Sequence, residues 1–143
     1  MSKTVRIKNV QSLHGRRKLS AMVRLCGHNT AFMGRIGITH IVLAPHGVLK
    51  EHRHERSESL FYILRGAATL TYGNQRKAVV VHPNDIINIP PRAWHGLTAL
   101  EKGLEYLAVQ SPPIQYEGSL IDTIQRRQER TGMKTKRPTR LPA

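Results

Sequence analysis

Acidic side chains are scarce in this chain: nine Asp and Glu stand against 23 Lys and Arg, a net charge of +14 over 143 residues. Cysteine is scarcer. Cys26 is alone, which excludes an intrachain disulfide framework, and nothing beside it marks a nucleophile, so it reads as an ordinary half-buried thiol. Aromatics make up 5%, and no apolar run nears the roughly 20 residues that span a bilayer. The first ten residues are charged and lack the apolar stretch of a secretory signal. These absences point to one domain in the cytoplasm, with no membrane partner.

The charge that is present sits at the ends. Residues 1–25 carry seven bases and no acid, and residues 126–143 carry seven bases against Glu129 alone. The hundred residues between them net only +1. A nucleic-acid domain concentrates charge on its folded reading surface, so contact with nucleic acid or another polyanion is open to the basic ends but is not the favoured reading.

Between residues 5 and 110, short segments rich in Val, Ile, Thr and aromatics alternate with turn formers. The segments are Val5–Val10, Leu19–Cys26, Gly37–Leu43, Leu49–His54, Leu60–Leu64, Ala67–Tyr72, Ala78–His82, Ile86–Ile89, Trp94–Leu100 and Leu104–Val109. Spacers such as Ala44-Pro-His-Gly47, His82-Pro-Asn-Asp85 and Glu101-Lys-Gly103 separate them. Strands at this spacing predict an all-β sandwich or barrel. One helix is expected after it, with Ser119 as N-cap, Leu120, Ile121 and Ile124 as its apolar stripe, and Gly132 as its stop. The expected divisions are a basic arm over 1–25, a barrel over 26–114, the helix within 115–132 and a basic tail over 133–143.

The chemistry-bearing segment runs from Gly47 to Gly66 and contains His52, His54 and Glu58. Residues two apart on a strand share a face, so His52 and His54 converge, and imidazole is a common ligand for divalent transition metals. A second histidine context follows in Pro83-Asn84-Asp85 through Pro90-Pro-Arg-Ala-Trp-His95. Together the two segments resemble the paired motifs of the cupin superfamily: Gly47, His52, His54, Glu58 and Gly66 answer the first, and Pro90 and His95 the second. The resemblance covers roughly residues 36 to 110. It implies a double-stranded β-helix, or jelly-roll, barrel holding a divalent metal ion (Fe, Mn, Ni, Zn or Co). The second half also resembles WbuC-like cupins and metal-independent sugar ketoisomerases.

Several positions depart from the family pattern. Asn84 and Arg92 stand where the second motif has glycines, and Ala99 stands where it has asparagine. Counted back from Gly66, the motif glutamate falls on Ser59, not Glu58. A one-residue slip flips the face, so either Glu58 turns inward at a bulge or the site is three histidines. The preferred reading has His52, His54, Glu58 and His95 as ligands; Glu58, if not a ligand, is the candidate base. His40, on the preceding strand, is the second candidate for proton transfer. His14, His28, His46 and His82 read as structural or surface residues, and Trp94, opposite in face to His95, as core packing. Of Phe61 and Tyr62, one should face the lumen.

The resemblance implies a metal-dependent enzyme of oxygenase, isomerase, cyclase or lyase type acting on a small-molecule substrate. The alternatives are a metal-independent isomerase-like protein and a non-enzymatic ligand-binding barrel. A homodimer paired through the N-terminal strands is the expected assembly.

Overall fold

The structure, a computed structural model, describes residues 26–33, 35–116, 119–120 and 122–127. Ten strands follow one another: β1 (Cys26–Met33), β2 (Ile36–Leu43), β3 (Val48–His54), β4 (Glu58–Tyr72), β5 (Lys77–Val81), β6 (Ile86–Ile89), β7 (His95–Ser111), β8 (Gln115–Tyr116), β9 (Ser119–Leu120) and β10 (Thr123–Gln125). Eight belong to one antiparallel sheet in which β1, β2, β7, β3 and β10 lie side by side, while β4 pairs with β5, β6 and β7. The all-β barrel expected from the sequence is the architecture observed.

Two long strands organise it. The first half of β4 pairs with the second half of β7, from Glu58↔Ser111 to Gly66↔Leu104, and its second half runs from Ala68↔Ala99 to Tyr72↔His95. Arg65-Gly66 and Glu101-Lys-Gly103 read as breaks in sequence, yet each is a kink inside a continuous strand. Gly66 and Gly103 take φ of 75° and 74° there. A Cβ at Gly66 would overlap the Gly103 carbonyl oxygen, so the two strands bend together only because both residues lack one.

Alternation along the strands builds the core. Ile41 and Leu43 of β2, Phe61 and Ile63 of β4, and Leu104, Tyr106 and Ala108 of β7 all point inward and are buried. Leu49, Leu70, Val81, Ile89 and Leu97 complete the same cluster.

The C-terminal helix is not observed: β9 and β10 occupy residues 119–120 and 123–125. Two physical reasons stand out. Asp122 has φ of 55°, which interrupts any helix, and β10 adds to the edge of β3 with Gln125 opposite His52 and Thr123 opposite His54. A stripe of three apolar residues offers a helix less than that edge offers a strand. Strand β1, by contrast, carries no clear alternation in Cys26–Met33 and was not expected; it pairs along all of β2. The basic arm with its expected dimer contact, the end of the expected helix and the tail lie outside the described residues.

Candidate metal centre

His52, His54 and His95 come together in the barrel interior, each 3% exposed or less. One ring nitrogen from each lies within 4.8 Å of the others. Local backbone irregularity makes this possible. Leu49 faces Leu97 and His52 faces His95, so two residues of β3, Lys50 and Glu51, stand opposite Gly96 alone. That bulge shifts the alternation by one, so Leu49, His52 and His54 all point inward. Gly96 completes it, because a Cβ there would sit 3.0 Å from the Leu49 carbonyl oxygen and 3.2 Å from the Glu51 nitrogen.

The ring orientations follow from hydrogen bonds at the other nitrogen. His52 Nδ1 lies 2.7 Å from the Lys50 carbonyl oxygen and His95 Nδ1 2.9 Å from that of Ala93. His54 Nδ1 lies 3.2 Å from the Asp122 carbonyl oxygen and 3.3 Å from Thr123 Oγ1. A carbonyl oxygen only accepts, so all three Nδ1 atoms carry the proton and all three Nε2 atoms present lone pairs. Nε2 of His95 is buried without a hydrogen-bond partner. Burial also keeps the rings neutral: it lowers His52 well below the ordinary histidine range, with His95 adding to the effect, lowers His54, and brings His95 to about 4. The Phe61 ring stands 5.9 Å from the His95 ring and closes one side with carbon. Phe61 is thus the lumen-facing member of its pair, while the Tyr62 hydroxyl donates to Asn84 Oδ1 at 2.9 Å.

Glu58 does not join the histidines. It is exposed at the start of β4 and accepts a 2.8 Å hydrogen bond from Asn88 Nδ2. Ser59 has the inward position, 1% exposed, with an Oγ that has no hydrogen-bond partner. The parity that separated the two readings in sequence therefore resolves toward three histidines: one bulge falls before His52 and another between Ile63 and Arg65, and neither turns Glu58 inward. His40 is also outside the site. Thr39 and Ile41 take the inward positions on β2, and His40 on the other face lies 2.9 Å from Glu105 Oε1. Neither Glu58 nor His40 is placed to move a proton in the cavity. Trp94 does face away from His95, but it is not in the core. Its ring carries the guanidinium of Arg53 at 4.7 Å and that of Arg126 at 5.3 Å.

The loop positions of the second motif behave as its register requires. Asn84 and Arg92 have φ of 72° and 67°, the left-handed conformation that glycine would supply. Arg92 N–H donates to the His54 carbonyl oxygen at 2.7 Å and so ties the two histidine segments together.

In sequence Asp122 reads only as the capping partner of Ser119 in the expected helix; its place beside His54 was missed. Its carboxylate accepts from the backbone N–H groups of Glu55, Arg56 and Ser57 at 3.2, 2.8 and 2.9 Å, which orders the turn after His54. Its own carbonyl meanwhile receives the His54 Nδ1–H. Partial burial raises the Asp122 carboxyl pKa, but the N–H groups of Arg56, Ser57 and Glu55 outweigh that and hold it below the usual range. Arg126 then anchors the segment, donating to Glu51 Oε2, the Gly73 carbonyl and the Asn74 carbonyl at 3.0, 3.0 and 2.8 Å. At least this one of the seven C-terminal bases is spent inside the fold. The contact is long-range, and only an isolated Asp four residues before an Arg signals it in sequence.

Residues 39–109 match the Cupin domain family. The chain belongs to the cupin superfamily. Among solved structures this cupin is similar to KdgF from Halomonas sp., at TM-score 0.61 and 20% identity over 70% of this chain and 87% of that one. It is similar to the polyketide cyclase RemF from Streptomyces resistomycificus, at TM-score 0.65 and 20% identity over 76% and 80%. It is also similar to oxalate decarboxylase from Bacillus subtilis, at TM-score 0.65 and 18% identity over 85% of this cupin but only 33% of that chain. Identities this low carry the fold and nothing finer. No curated protein matches the chain by sequence. Among the described residues, no helix is long and apolar enough to cross a membrane.

Proposed function

We propose that this cupin holds one divalent transition-metal ion on His52, His54 and His95 and is an enzyme that uses it on a small molecule inside the barrel. One observation carries the reading: three Nδ1–H groups are committed to acceptors, leaving three Nε2 lone pairs on one spot, that of His95 buried and unpartnered. An ordinary core histidine finds a partner for such an atom, and a metal ion is the partner this donor set fits. Of the ions that the resemblance implies (Fe, Mn, Ni, Zn or Co), neutral imidazoles suit Fe, Ni and Zn best.

When bound, the ion supplies Lewis acidity, polarising an oxygen of the substrate. The chain's own residues do the rest. The carbonyls of Lys50, Ala93 and Asp122 keep the rings turned, Arg92 holds the His54 strand against the second motif, and Phe61 keeps water from one side. The oxygenase, isomerase, cyclase or lyase range stays as the class of chemistry, and two of the similar structures, a cyclase and a decarboxylase, are enzymes by name.

Elemental analysis of protein purified without added metal, beside a His52→Ala variant, tests the reading. One ion per chain in the parent, lost in the variant, is the expected result. A metal-free parent that takes up no zinc, manganese or cobalt on dialysis refutes it and leaves a barrel that works, or binds, without an ion.

A further inference from the structure

The scarcity of acid in the sequence continues into the site. At the position where the family motif places a glutamate this chain has Ser59, inward-facing, 1% exposed, with an unpartnered Oγ. The neighbouring Glu58 faces outward to Asn88. Every other acid with a described partner is engaged elsewhere. Glu51 pairs with Arg76 and Arg126, Glu55 with Arg53 and Arg92, and Glu105 with His40 and Arg65. Asp85 caps the His82 N–H. Asp122 is closest in effect, since His54 feels its charge, but its oxygens are taken by three backbone N–H groups. Among the described residues the group able to hold an ion is His52, His54 and His95, with no carboxylate in it.

Three neutral imidazoles leave a divalent ion with its whole double charge in a buried place. An uncompensated charge in a low-dielectric interior is costly, and the cost is relieved by the first anion that can reach it. Resting on the metal-binding reading above, we propose that this centre takes its missing negative charge from its ligand. It selects small oxygen anions, carboxylates or enolates, at the position that Ser59 leaves open, and the Ser59 hydroxyl donates a hydrogen bond to the bound anion. Residues Ser59 and Phe61 share the inward face of β4, and the Phe61 ring already lies against His95, which places the hydroxyl on the same interior wall.

Cobalt(II) is the probe, because its visible spectrum reports its ligands. Protein loaded with cobalt and counted by elemental analysis is titrated with acetate and oxalate, and with acetamide as the neutral counterpart of acetate. Saturable spectral change with the two anions, and none with acetamide at a hundredfold higher concentration, is expected. Ser59→Glu restores an internal carboxylate: it keeps its cobalt and loses the response. Ser59→Ala keeps the charge deficit but loses one hydrogen bond, and its anion affinity falls about 5- to 10-fold. A cobalt spectrum indifferent to anions, an equal response to acetamide, or an anion response in Ser59→Glu matching the parent overturns the proposal while leaving metal binding standing. Failure to bind cobalt at all is visible in the elemental count before any anion is added, and overturns both readings.

Discussion

His95→Gln provides a quantitative test of the interior. His95 is 1% exposed, and burial brings its pKa from 6.5 to about 4. A base with a depressed pKa in the folded state contributes stability that is fully present above 6.5 and is lost as pH falls toward 4, because the unfolded chain takes up a proton that the folded chain refuses. The gap of about 2.5 pH units, at about 1.4 kcal/mol each, corresponds to about 3.5 kcal/mol in full, of which about 3 kcal/mol is lost by pH 4. That is a large part of the roughly 5–15 kcal/mol that holds a domain of this size together. Glutamine keeps a polar side chain in place but does not titrate. It also removes the charge that helps lower His52, which adds to the difference between the two proteins. Urea unfolding of chelator-treated protein at intervals from pH 7 to pH 4, followed by circular dichroism, gives both stability curves. The parent should lose about 3 kcal/mol more than the variant across that window. Parallel curves would refute the claim that His95 is buried neutral in the metal-free protein.

Two further perturbations probe the frame around the site. Gly66→Ala drives a Cβ into the Gly103 carbonyl at a left-handed φ, so a loss of at least about 3 kcal/mol, or failure to fold, is expected in thermal unfolding. A variant with parental stability would mean that β4 does not bend there. Asp122→Asn keeps the shape and the left-handed tolerance of residue 122 but removes the charge that three backbone N–H groups share. Discounted for the exposure of the turn, the cost is about 1–2 kcal/mol at pH 7. The depressed carboxyl pKa makes that advantage present above the ordinary carboxylate range and lost as pH falls through the folded value, so parent and variant should converge in strongly acidic buffer. Denaturant midpoints at pH 7 and near pH 2.5 check this, and a difference independent of pH would assign the effect to packing instead.

The sequence by itself determined the periodic features. The β-forming composition of Gly37–Leu43 and Ile86–Ile89 is local, and so is the identity of the residues that can bind a metal, so the all-β class and the histidines were legible without coordinates. Even the left-handed turn at Asn84 follows from the side chain. Which face a residue occupies was legible only as far as the strand stayed regular. One extra residue in β3, opposite a glycine far along the chain, turned His52 and His54 inward, and Ser59 rather than Glu58 followed them across the next turn. Tertiary structure alone decided that β10 would be a strand, because its partners on β3 lie about seventy residues away and the free edge of a sheet is invisible to local propensity. The shortage of acid was plain from the composition. That it extends to the one place where a carboxylate was expected depended on side-chain parity, which only the folded barrel sets.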